Sequence, residues 1–118
     1  ICVIGIRQSI LNQPNIIVTD MNASSDYVGF FEADEGIKRL DENLVYTQDW
    51  RDDDHFEMCR KRSAACAEVL IPDSLPASNI EKIYVSCQAV CDKIKADISS
   101  IGFEIPVIIN PKMFFQEM

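Results

Sequence analysis

The sequence has no excess of positive charge, no long apolar run, no CxxC pair and a single histidine. Lysine and arginine total 11 against 19 aspartates and glutamates, a formal net charge of −8. That balance excludes a uniformly basic protein that coats nucleic acid, although an acidic chain still engages DNA where its few cations cluster. No apolar stretch approaches the roughly 18–20 residues that span a bilayer, so no membrane role is expected. The opening run Ile1-Cys2-Val3-Ile4-Gly5-Ile6 has neither a basic segment before it nor a cleavage site after it, unlike a signal peptide. Together these absences point to a cytoplasmic protein. Because the chain opens on an apolar run without an initiator methionine, the natural protein is expected to extend upstream.

Cysteine is present in an odd number, 5. Cys87 and Cys91 are spaced like neighbours on one helix face, as are His55 and Cys59, with Cys66 further on. A zinc site needs about four convergent ligands, so buried, reduced thiols are the simpler expectation and no metal is assigned. A metal-binding domain built on His55, Cys59 and Cys66 stands as the least favoured of three functional readings. The length of 118 residues, 47% hydrophobic and 25% charged, suits one soluble globular domain. With no repeat, linker or low-complexity tract, residues 1–118 read as a single unit.

The local patterns predict a mixed α+β chain. Ile1–Ile6 is apolar and β-branched, hence a strand, and Ser9–Asn12 is one short helical turn. A turn follows at 12–15, then a strand at Ile16–Thr19 apolar enough to be buried on both faces. Asp20–Ser25 is a polar, small-residue loop, with Ser24 or Ser25 capping a helix through Tyr27, Val28, Phe30 and Phe31. Glu35–Leu40 reads as a helical turn and Leu44-Val45-Tyr46 as a brief extended piece. Asp52-Asp53-Asp54 suits the start of a helix running from His55 to about Arg62. Strands are expected at Ala67–Ile71, Ile80–Val85 and Ile105–Ile109. Between the last two, Ser86 caps a helix to about Ile101 with Val90, Ile94 and Ile98 inward, stopped by Gly102.

The chemically informative stretch is Arg60-Lys61-Arg62 followed by Ala67-Glu68-Val69-Leu70-Ile71. A carboxylate among buried aliphatics is either an outward-facing strand residue or an acid fixed at a cleft mouth. The stretch resembles the basic segment and A-E-[FV]-L-[VI] strand of DarT-type DNA ADP-ribosyltransferases. Val18-Thr19-Asp20-Met21-Asn22-Ala23 is similar to the family's T-D-x-[NH]-A segment and Phe30-Phe31 to its F-F pair. Leu44-Val45-Tyr46 with Trp50 resembles its L-V-Y…W stretch, Ile80–Val85 its next strand and Ile105–Phe115 its closing segment. The order is colinear over nearly the whole chain.

The resemblance implies an ADP-ribosyltransferase-like fold, two small facing β-sheets with flanking helices, of which this chain is the C-terminal part. It implies transfer of ADP-ribose from NAD+, used as substrate, to thymine in single-stranded DNA, with Glu68 as the catalytic glutamate. A fixed carboxylate suits that chemistry, because it stabilises the positive ribose left as nicotinamide departs. Arg62 looks like the family's DNA-contacting arginine, and Arg60 and Lys61 can hold phosphates. Trp50 can stack on a base and Asn22 can bond its edge. The family's NAD-gripping histidine, asparagine and arginine lie upstream, and neither His55 nor Arg51 matches them. A toxin role, with a macrodomain antitoxin that removes the modification, is also implied. The contrasting reading is a non-enzymatic relative whose acidic surface binds a protein partner.

Overall fold

The structure, a computed structural model, describes residues 1–46 and 51–114. In chain order the elements are β1 (Val3–Ile6), β2 (Ile17–Thr19), β3 (Phe30–Glu32), α1 (Ala33–Arg39), α2 (Glu42–Val45), α3 (His55–Ala64), β4 (Val69–Leu70), β5 (Ile80–Val85), α4 (Gln88–Ser100) and β6 (Val107–Ile109). They form an α+β chain with two three-stranded sheets in two compact units. No helix among the described residues is long and apolar enough to cross a membrane.

The unit made of Ile1–Ile10 and Leu75–Met118 carries the sheet β1-β5-β6. β1 runs antiparallel to β5, Val3 opposite Tyr84, while β5 and β6 are parallel, Ile83 opposite Val107. A parallel pair needs a crossover, and α4 supplies it. Val85 and Cys91 are almost wholly buried with Ile83, and Val90, Ile94 and Ile98 pack against them. The inward face of α4 is therefore centred on a cysteine that the expected aliphatic stripe omitted. Cys87, not Ser86, is the N-cap. Gly102 ends the helix as expected, at φ +79°, where a side chain would be strained.

The unit Leu11–Ser74 is built around β2, flanked antiparallel by β3 and β4 with Val18 opposite both Phe31 and Val69. Ile16, Val18 and Ala33 form its buried core, covered by Leu11, Leu40 and Ile71. Two expected elements differ here. Residues 27–31 do not form a helix; Phe30 and Phe31 join β2 as a strand, because the ladder satisfies their backbone and the preceding loop closes at Gly29. Leu44 and Val45 are helical, not extended, because the Asp41 side chain accepts the Asn43 N–H at 3.0 Å and caps a short turn.

α1 crosses β2 at Gly36, where an added Cβ would lie 2.5 Å from the Cβ of Val18. Gly36→Ala gains up to ~1 kcal/mol of helix propensity but loses roughly 1–3 kcal/mol to overpacking. A net loss of about 1 kcal/mol is expected, read as a lower urea midpoint. A raised midpoint would mean that α1 moves off the strand without cost.

Candidate active site

Thr19 closes β2 and is fully buried. Its β-branched side chain suits the central strand, but its hydroxyl needs partners there. It finds them in residues on both sides. The Glu68 N–H donates to Thr19 Oγ1 at 2.9 Å, and Thr19 N–H donates to the Glu68 carbonyl at 2.9 Å. The hydroxyl has one proton and two carbonyls in range. It is best placed on Met21, at 2.7 Å, rather than on Glu68, at 3.4 Å. Glu68 is thus gripped by both of its main-chain polar groups just before β4, while its side chain is exposed.

The Glu68 carboxylate meets the loop that follows β2: the Ala23 N–H donates to Oε2 at 3.1 Å. That loop is closed at its base by Asp20, whose carboxylate accepts the Gly29 N–H at 2.8 Å. An added Cβ at residue 29 would lie 2.6 Å from the Phe31 ring, so any larger residue there would have to push that ring aside. Within the loop, Asn22 Oδ1 accepts from the Ser24 N–H at 2.9 Å and from Ser24 Oγ at 2.7 Å. Asn22 N–H in turn donates to the Ser63 carbonyl at 2.9 Å. Asn22 therefore caps its own loop, and the donor end of its carboxamide is the part that this turn does not use.

The basic trio lies on the second turn of α3, a helix capped by Asp54, which accepts the Phe56 N–H at 2.9 Å. Its three cations do not present one uniform patch. Arg60 forms an ion pair with Glu57 at 3.0 Å, and Lys61 forms one with Asp52 at 2.8 Å. Arg62 lines a cavity of about 290 Å³ together with Asn22, so these two expected site residues share one recess. Trp50 lies outside the described residues.

The Asp52–Lys61 hydrogen bond holds Asp52 below the usual aspartate range and Lys61 above the usual lysine range. A depressed aspartate contributes stability above its unfolded-state value and loses it as pH falls through its folded-state value. A raised lysine loses its contribution as pH climbs through its folded-state value, so the pair is intact at neutral pH and opens in acid or in strong base. Phosphate binding by Lys61 at neutral pH requires exchange of Asp52 for phosphate. If Lys61 holds phosphate as the resemblance implies, Asp52→Asn should strengthen single-stranded DNA binding a few-fold and steepen its salt dependence by about one counterion. Fluorescence anisotropy across a salt series reads both. An unchanged slope would argue against phosphate binding by Lys61.

His55 Nε2 lies 3.6 Å from Cys59 Sγ, one helical turn away. Among the described residues, no three potential metal ligands of the His, Cys, Asp and Glu types come together, so Cys66 does not complete a site with this pair. The expectation of buried thiols holds for Cys91 alone: Cys59, Cys66 and Cys87 are exposed and Cys2 is partly so. Sequence reasoning gave no role to Thr19, Asp20, Tyr27 or Phe56. Their signal was weak, since the partner of Thr19 is 49 residues away.

A family model described as ssDNA thymidine ADP-ribosyltransferase, DarT, matches residues 1–115. A DNA ADP-ribosyl transferase–DNA ADP-ribosyl glycohydrolase fusion protein of Thermosipho africanus is 30% identical over 118 residues, which is 98% of this chain and 28% of that protein. The chain therefore spans less than a third of that curated relative. The structure of Thermosipho africanus DarTG in complex with ADP-ribose matches with a TM-score of 0.78 at 27% identity, over 97% of this chain and 29% of that one. Thermus sp. 2.9 DarT in complex with ADP-ribosylated ssDNA matches with a TM-score of 0.74 at 20% identity, over 85% of this chain and 46% of that one, a likeness of fold. The α+β fold expected from the resemblance is the fold found.

Proposed function

This chain belongs to the DarT family of ssDNA thymidine ADP-ribosyltransferases, and on that premise we propose that it supplies the catalytic glutamate, Glu68, of an enzyme that moves ADP-ribose from NAD+ to thymine in single-stranded DNA. The observation that carries the reading is the geometry of residue 68. A buried threonine fixes its main chain through two 2.9 Å bonds, while its carboxylate stays exposed beside a backbone N–H. An acid on a rigid support is what charge stabilisation needs, because no reorganisation is required as the reaction proceeds.

NAD+ supplies the ADP-ribosyl group, with nicotinamide leaving on the electron pair of the broken glycosidic bond. Glu68 stabilises the positive charge that develops on the ribose and orients a ribose hydroxyl. The thymine ring nitrogen that attacks must lose its proton, and an exposed carboxylate in reach is a suitable acceptor. Arg62 and Asn22, in one recess, engage the strand, with Arg60 and Lys61 exchanging their carboxylate partners for phosphate. For Trp50 the proposal keeps the base-stacking role that the resemblance implies. We take this chain as the C-terminal portion of the ADP-ribosyltransferase domain, with the residues that grip NAD+ upstream of it, as the resemblance implies. The Thermosipho africanus relative is a fusion of the transferase with a DNA ADP-ribosyl glycohydrolase, which supports an opposing activity that removes the modification; a macrodomain antitoxin is the partner proposed for it, and a toxin of the cytoplasm the role proposed for this chain.

The test is mass spectrometry of thymine-containing single-stranded oligonucleotides incubated with NAD+ and the protein as its gene encodes it. A mass gain of one ADP-ribose on the oligonucleotide is expected. No gain over varied sequences would overturn the enzymatic reading in favour of a non-enzymatic binding module.

A further inference from the structure

Tyr27 and Phe56 are 76% and 59% exposed, although both are large aromatics. Their rings meet edge to face, centroids 6.3 Å apart at 76°. Neither belongs to the core of its unit, so packing does not explain them. Both line a cavity of about 390 Å³ that also includes Met21, Asp26, Arg60 and Ser63. That volume is within the range of small-ligand pockets.

The polar groups of this cavity are mixed. Arg60 brings donors and Asp26 an acceptor. Ser63 forms part of the wall, with its hydroxyl oxygen buried beneath the cavity surface. The cavity also borders the loop that meets the proposed catalytic acid. Met21 lines it, and two residues further along the Ala23 N–H donates to Glu68. Two residues of chain reach at most ~7 Å, so the cavity and the carboxylate lie on neighbouring parts of one short loop.

We propose that this cavity receives an unstacked base of the DNA strand, the one beside the base that is modified, and so reads sequence context. The inference rests on the single-stranded DNA reading above. An exposed aromatic face is what a splayed base stacks on. The Asp26 carboxylate accepts from an exocyclic amino group, which cytosine, adenine and guanine carry and thymine lacks. The pocket therefore favours an amino-bearing base.

The experiment measures binding without NAD+, by fluorescence anisotropy, using the protein as its gene encodes it. The probes are single-stranded oligonucleotides with one thymine target and an abasic residue moved through the flanking positions. One flanking position is expected to lose about tenfold in affinity when abasic, the scale of one base–aromatic stack, and several-fold when it carries thymine. Tyr27→Ala with Phe56→Ala should bind the intact strand about tenfold more weakly and be insensitive to that abasic residue, whereas Tyr27→Phe should behave as wild type. Both rings are largely exposed, so the double variant is expected to fold. An equal abasic penalty in wild type and double variant, no penalty at any position, or no strand binding at all would each overturn the pocket. Because no transfer step enters the assay, a coupled penalty in a protein that never modifies DNA would keep the pocket while removing the catalytic reading. Modification without a coupled penalty would do the reverse.

Discussion

In the protein as its gene encodes it, Glu68→Ala is expected to slow the proposed ADP-ribose transfer by about 10²–10⁴-fold, the range seen when a charge-stabilising or proton-accepting group is removed. Stability should change by no more than about 0.5 kcal/mol, because the side chain is exposed and contributes no apolar burial. Glu68→Gln separates charge from shape. Its amide oxygen still accepts the Ala23 N–H, which in the native chain lies 3.1 Å from Oε2. It has no negative charge to set against the ribose and no basic oxygen for the thymine proton. The glutamine variant should therefore be nearly as slow as the alanine variant, with an unfolding midpoint matching wild type. Initial rates on an oligonucleotide and urea unfolding measure the two quantities. A rate within tenfold of wild type for either variant would show that the acid lies elsewhere.

Thr19→Val should combine a stability loss with a loss of turnover. The substitution keeps the shape of a fully buried side chain and removes only its hydroxyl. It strands the Glu68 N–H and the Met21 carbonyl, which lie 2.9 Å and 2.7 Å from Oγ1. Leaving buried groups unpaired costs roughly 1–3 kcal/mol. The backbone at residue 68 then loses one of its two anchors, and a displacement near 1 Å at a reacting group costs about 10²-fold. We expect kcat to fall 10- to 100-fold with KM for NAD+ little changed, since Thr19 acts through Glu68 rather than through substrate. Thr19→Ser restores the hydroxyl and should recover most of kcat, despite the missing methyl group. A valine variant with normal kcat but lowered stability would restrict Thr19 to the scaffold.

How far the sequence foretold this arrangement depends on whether the decisive contacts are local. β5 was legible to the residue, because Ile80–Val85 alternates between turn signals. α4 was legible because its apolar spacing and its stop at Gly102 lie within one short window. The segment 27–31 failed because its apolar residues fit either period. Only pairing with β2, through Val18 and Phe31, selects the strand. Leu44-Val45 failed the other way: branched residues suggested extension, and one aspartate at the right offset turned them helical. Glu68 stood out in the sequence as a charge beside aliphatic residues and through its resemblance to a known motif. Its anchor at Thr19 did not, since a hydrogen bond across 49 residues has no local signature. The neutralising partners of the basic trio were hidden to different degrees: Glu57 is three residues from Arg60, but Asp52 reaches Lys61 across nine.

The grip on residue 68 involves its N–H and carbonyl, atoms that every amino acid except proline carries in full. The scaffold consequently depends little on which side chain stands there, proline excepted; only the exposed bond from the Ala23 N–H is lost with the carboxylate. A lineage can exchange the acid for another residue in one step and still inherit a folded protein. Such a position is open to rapid silencing and equally rapid restoration, with selection acting on the reaction alone and never on the survival of the fold.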